Sequence, residues 1–158
     1  MHLVATLALP FVLVTLSVPP AMAQGVVQET AQIEAHKEQE IRCLQKNIYF
    51  EARGEGVEGM KAVAAVTMNR VNSEKFPDTV CETVKQREGR RCQFSWVCAG
   101  LRRITDQRAW ETAGRIAVQA ISGTLTHRVG NAMFFHNTSA PNFRKKPIAR
   151  IGNHVFYP

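Results

Sequence analysis

Two glutamates four residues apart, Glu51 and Glu55, lie between an apolar lead-in, Ile48-Tyr49-Phe50, and the glycines Gly54 and Gly56. A carboxyl that closes an apolar helical run at a bend is held partly out of water yet within reach of a substrate, which is the setting of a general acid. The three apolar neighbours would desolvate Glu51 and favour its neutral, proton-donating form. Arg53 would oppose this, but at a spacing of two it falls on the other side of a helix. Gly54 and Gly56 favour a helix end, so Glu55 leaves the face of Glu51. Glu55 is the candidate second carboxylate, acting either as an electrostatic stabiliser or as an anchor for Arg53 or Arg70 that fixes the turn. A solvated helix end without chemistry is the plainer alternative.

Other side chains offer weaker chemistry. Gln93 and Ser95 offer hydrogen-bonding groups, and Asn131, Phe135, His136 and Tyr157, in segments that also carry a family resemblance, offer polar or stacking contacts. His127, His136 and His154 with a glutamate would be the raw material of a zinc site, but no His-Glu-x-x-His helix is present, so no metal or other cofactor is expected.

The elements that must position these groups follow from periodicity. Ala35–Arg53 has helical spacing with Ile41, Leu44, Ile48 and Phe50 inward, and Val57–Val71 is a second, alanine-rich helix with Val63, Val66 and Val71 to bury. A short helix over Thr79–Gln86, capped by Asp78 or Thr79, leads to a charged loop at Arg87–Arg91, and Gln93–Val97 is expected to be extended. Thr105 or Asp106 caps a third long helix ending near Gly123, in which the spacing makes Trp110 a core residue rather than a sugar platform. Met133–His136 and His154–Tyr157 are short strands of a ribbon separated by the proline-containing segment 137–150.

With these residues in place, the chain resembles a known family. Tyr49-Phe50-Glu51-Ala52-Arg53-Gly54-Glu55, Glu58-Gly59, Ala62–Val66, Asn69-Arg70-Val71, Phe76-Pro77, Gln93-Phe94-Ser95 and Ile151–Tyr157 occur in the order and form of the SleB/CwlJ-type cell wall hydrolases, from about Cys43 onward. The resemblance implies a mainly helical α+β, lysozyme-like or lytic transglycosylase-like domain with a small β-ribbon that cleaves peptidoglycan glycan strands. It also implies that Glu51 is the catalytic acid. Gln93 and Ser95 can then bind sugar hydroxyls or acetamido groups. A lytic transglycosylase giving 1,6-anhydro ends is the expected activity. A hydrolytic muramidase on the same scaffold and a non-catalytic basic wall-binding module are the alternatives.

Composition sets the surroundings. Residues 1–23 carry no Lys, Arg, Asp or Glu and close with Ala21-Met22-Ala23, the pattern of a signal peptide, with a polar and mobile leader expected at 24–34 and the catalytic domain at 35–158. The net charge of +7 therefore belongs to the part after the signal. An exported, basic protein in the periplasm or cell envelope is drawn to polyanions of the wall, with an envelope protein as a further possible partner. Export and the lack of zinc-finger or aromatic single-strand platforms argue against nucleic acid. Four cysteines fit two disulfides of an oxidising compartment. Three pairings are open; Cys43–Cys81 with Cys92–Cys98 is favoured because the second pair would close a short, stiff loop around Gln93–Trp96.

Overall fold

The structure, a computed structural model, describes residues 20–100, 103–140 and 144–158. Most of the expected signal peptide, residues 1–19, lies outside them. Residues from Ala35 onward form one compact unit, and the residues before Ala35 belong to another.

Helix α1 spans Pro20–Ala52, longer at its start than the apolar spacing predicts. The segment expected as a leader is helical, and it is solvent-exposed from Val27 to Gln39. Its run of Gln, Glu, Ala and Lys has high helix propensity, which supports a helix without any apolar stripe. Arg42 and Glu38 add an exposed pair one turn apart at 2.6 Å. From Leu44 on the helix turns inward, with Leu44, Asn47, Ile48, Tyr49 and Ala52 fully buried.

After Ala52 the chain reverses over Arg53–Glu55 into helix α2, Gly56–Val71, where Gly56 takes φ +68, a conformation open to glycine at little cost. Small side chains let α2 bury two faces. Met60, Val63 and Ala64 pack with α1 and with helix α5, Gln107–Ile121, while Ala62, Ala65 and Val66 pack against the sheet through Val129, Ala132 and Phe156. As expected, Asp106 caps α5, its carboxylate accepting from the Ala109 N–H at 2.9 Å. Trp110 packs edge-on to Tyr49 as a core residue, with ring centroids 5.7 Å apart.

Between these helices lies a disulfide-rich stretch. Helix α3, Val80–Lys85, is capped by Thr79, and the Glu40 carboxylate accepts from the N–H groups of Val80 and Cys81 at its start. Cys43–Cys81 ties α1 to α3 with Cα atoms 5.2 Å apart, and Cys92–Cys98 closes the loop behind it. Two expectations are corrected here. The charged segment is a tight antiparallel hairpin of β1, Arg87–Glu88, with β2, Arg91–Cys92. Residues 93–97 are not extended, because Ser95–Cys98 forms a single helical turn, α4, which the closely spaced Cys92–Cys98 bridge accommodates.

The C-terminal ribbon gains a strand. β3, Phe134–Asn137, and β4, Ala149–Ile151, both pair antiparallel with a central β5, His154–Tyr157. The register puts Phe135, Phe156, His154, Ala149 and Ile151 on the face toward α2. Phe134, His136, Val155, Tyr157 and Arg150 alternate onto the other. The third strand escapes sequence reading because Ala149-Arg150-Ile151 is too short to show an alternation.

Candidate active site

Glu51 lies in the last turn of α1, half-exposed, where the helix gives way to the glycine bend. Its two flanking aromatics have different tasks. Tyr49 is buried beneath the site, its oxygen accepting from the main-chain N–H groups of Thr105 and Asp106, each at 3.0 Å, and from Arg53 at 3.2 Å. Burial pushes the phenol pKa up, but the Thr105, Asp106 and Arg53 donors outweigh it and bring it down to about 8. Phe50 packs on Trp96 with centroids 5.0 Å apart. Arg53 donates to the Tyr49 hydroxyl and, at 3.4 Å, to Thr105 Oγ1.

Arg70 interacts electrostatically with Glu51. Arg70 is 2 % exposed, near the end of α2. Burial lowers its pKa to about 10 while attraction to Glu51 raises it, so the guanidinium remains charged near neutral pH. Its Nε donates to the Met133 carbonyl at 2.7 Å, and the Gln93 side-chain oxygen accepts from Nη2 and Nη1 at 2.9 and 3.0 Å. The rings of Phe76, Phe94 and Phe134 surround it, with centroids 5.2, 5.2 and 5.7 Å from its central carbon. A planar, weakly hydrated cation suits such a cage.

Gln93, expected to touch sugar, is thus placed on Arg70 by the Cys92–Cys98 loop. Asn47, buried in α1, holds the same loop from behind. Its Nδ2 donates to Thr67 Oγ1 at 3.1 Å, and its Oδ1 accepts from Trp96 Nε1 at 2.9 Å.

Glu55 pairs with neither Arg53 nor Arg70 in the described hydrogen bonds, contrary to the expectation of an arginine anchor. Its carboxylate accepts from the Asn153 main-chain N–H and, at 3.2 Å, from Asn153 Nδ2. The Asn153 N–H chiefly, with the Asn153 side chain and nearby His154, lowers the Glu55 pKa against the opposing effect of burial. Gly152, at φ +56 in the β4–β5 turn, lies so close that a Cβ there would collide with Glu55 Oε2.

Among the remaining candidates, His136 and Tyr157 are brought together. Their rings stack at 5.2 Å, and His136 Nε2 and the Tyr157 hydroxyl are 3.0 Å apart. Phe135 faces the other way, packed on Phe94, His154 and Phe156, and is part of the core. Ser95 is exposed at the start of α4. Asn131 is exposed in a turn whose neighbours Gly130 and Ala132 accept from Asn69 Nδ2, both at 2.9 Å. His127 is exposed, His154 is buried, and among the described residues no three His, Cys, Asp or Glu side chains converge. Sequence reasoning missed Arg70 and Asn47 as site residues. The signal available was a charged or amide side chain in the middle of a helix stretch otherwise fit only for burial.

A glutamate at a helix end before a glycine bend, faced by a buried arginine and backed by a small antiparallel sheet, defines the class: the chain belongs to the cell wall hydrolase family, whose pattern matches residues 54–157. Among its relatives is a spore cortex-lytic enzyme of Oceanobacillus iheyensis, 30% identical over 78% of this chain and 43% of that protein. Another, from Bacillus cereus, is 33% identical over 77% of this chain and 45% of that one. The chain thus spans less than half the length of these curated relatives. The catalytic domain of the Bacillus cereus SleB protein superposes with a TM-score of 0.63 at 31% identity, covering 77% of this chain and 91% of that domain. The catalytic domain of the germination-specific lytic transglycosylase SleB from Bacillus anthracis gives 0.61 at 32% identity, covering 75% and 93%.

Proposed function

We propose that this protein is an exported enzyme that cleaves peptidoglycan glycan strands between N-acetylmuramic acid and N-acetylglucosamine as a lytic transglycosylase. Glu51 protonates the bridging oxygen, and the bond from that oxygen to C1 of the muramic residue breaks. The resulting carboxylate then takes the proton from the C6 hydroxyl as O6 bonds to C1, so a 1,6-anhydro end forms and no water is consumed. Arg70 supports the first half, because its fixed charge stabilises the carboxylate formed as Glu51 gives its proton to the bridging oxygen.

The observation that carries this choice is the engagement of Glu55. A hydrolase needs a second carboxylate to hold a water or a covalent intermediate. Glu55 is instead committed to both donors of Asn153. One acid–base glutamate is sufficient for the anhydro route, and the lytic transglycosylase similarity points the same way. His136 and Tyr157 are the proposed sugar contacts on the sheet.

Purified sacculi digested with the protein and with its Glu51→Gln variant provide the test. Products one water lighter than reducing-end fragments are expected from the parent, with a rate loss of about 10²–10⁴ in the variant. Reducing ends would replace the transglycosylase with a muramidase. A Glu51→Gln protein as fast as an active parent would remove Glu51 from the chemistry, whereas no cleavage by either protein would leave a basic wall-binding module as the better account.

A further inference from the structure

The outer face of the sheet holds a cavity of about 510 Å³ lined by Lys145, Pro147, Ile148, Ala149, Arg150, Val155 and Tyr157. Its polar character is one-sided. Residues 144–150 contain Arg144, Lys145, Lys146 and Arg150 and no Asp or Glu, and no Asp or Glu side chain pairs with Lys145 or Arg150 among the described residues. Lys145 is nevertheless held in place. Its Nζ donates to the Pro158 main-chain oxygen at 2.9 Å and lies 5.3 Å from the centre of the Phe134 ring. That ring also flanks Arg70, the partner of Glu51. Tyr157 likewise belongs to both places, since it lines the cavity and bonds His136. Arg150 projects on the same side of the sheet, opposite Val155 in the register.

We infer that this cavity is a subsite for the carboxylates of the peptide stem carried by muramic acid, with Lys145 and Arg150 as specificity-determining residues. The inference rests on the glycan-cleaving function proposed above. A neutral sugar needs no cations, whereas each stem peptide carries several carboxylates along a short chain that begins at the muramic ring. Two cations at the margin of the site, one of them already oriented, provide charge-assisted donors for them. Ile148, 39% exposed, and Pro147 supply an apolar floor for the stem's aliphatic parts. Both cationic side chains are exposed, so their removal leaves the core intact.

The test compares stem-bearing glycan strands with the same strands after the stems have been removed by an amidase. The parent is expected to cleave stem-bearing strands faster, and the Lys145→Ala/Arg150→Ala double variant to lose about tenfold on these alone, mainly in KM. Equal rates of the parent on both substrates, or an equal loss by the variant on both, would overturn the subsite. A second arm titrates the isolated L-Ala-γ-D-Glu-diaminopimelate tripeptide by calorimetry. Binding to the parent that the double variant loses supports the subsite even if no strand is cut, an outcome that would count against the enzyme and not the cavity. Equal heats from both proteins would sink it.

Discussion

The Glu55 carboxylate accepts both the main-chain and the side-chain N–H of Asn153, 98 residues further along the chain. This clamp joins the bend after Glu51 to the β4–β5 turn and thereby fixes the sheet against the end of α1. Glu55→Gln should cost about 1–3 kcal/mol of stability, since the charge is lost and one oxygen becomes a donor facing Asn153 Nδ2, and Asn153→Ala should cost less, since the main-chain N–H still donates. Denaturant titration measures that loss. Glu55→Gln should still yield anhydro products from sacculi; loss of all cleavage by a protein that remains folded would return Glu55 to the reaction.

Acid should loosen the same joint. The Glu55 pKa is lowered in the fold, so its contribution is complete above the unfolded carboxylate value of 4.5 and is lost as pH falls through the depressed folded value. Burial also lowers the His154 pKa below 6.5, with His136 adding to this and Glu55 opposing it. A histidine kept neutral by folding stabilises fully above its unfolded value and progressively less as pH drops toward its folded one. His154 therefore predicts that the melting temperature falls as pH drops below about 6.5, and Glu55 that it falls further below pH 4.5. His154→Gln should flatten the part of the profile near pH 6; an unchanged profile would refute the assignment to His154.

Arg70 should not tolerate replacement by lysine. An ammonium group keeps the charge near Glu51 but loses the planar contact with three rings and the paired donation to Gln93. Arg70→Lys is expected to lose about 2–4 kcal/mol, in the range of broken buried charge networks. Cleavage should fall even where calorimetry shows the protein fully folded.

The two disulfides should separate stability from activity. Removing Cys43–Cys81, which closes a separation of 38 residues, is expected to cost about 2–4 kcal/mol. Cys92–Cys98 closes only six and constrains the unfolded chain less, but it holds the loop that places Gln93 on Arg70. A Cys92→Ser/Cys98→Ser protein should melt closer to the parent than the other pair does, yet turn over more slowly. Equal losses of both properties in the two pairs would contradict this division.

The helices, the Asp106 and Thr79 caps and the inward face of Trp110 were legible in the sequence because each depends on neighbours within a turn or two. The cysteine pairing was open to three choices in the sequence, and the structure holds the favoured one, Cys43–Cys81 with Cys92–Cys98. What escaped depends on distant partners. Nothing near Glu55 announces Asn153, and nothing near Gln93 announces Arg70. The short strand Ala149–Ile151 exists because β5 offers it a free edge. The beginning of α1 failed in another way. Strong local propensity was masked by the absence of an apolar stripe, which indicates burial more directly than helicity.

The central position of β5 also sets an order of events. A ribosome delivers the glutamate-bearing helix before the sheet, and the middle strand after both of its neighbours, so the sheet can complete its pairing only when that later segment arrives. Until residues 153–157 are made, the Asn153 clamp is missing and neither β3 nor β4 has a neighbour to pair with. Vectorial synthesis thus leaves the end of α1 that carries Glu51 without its frame until β5 has followed β3 and β4.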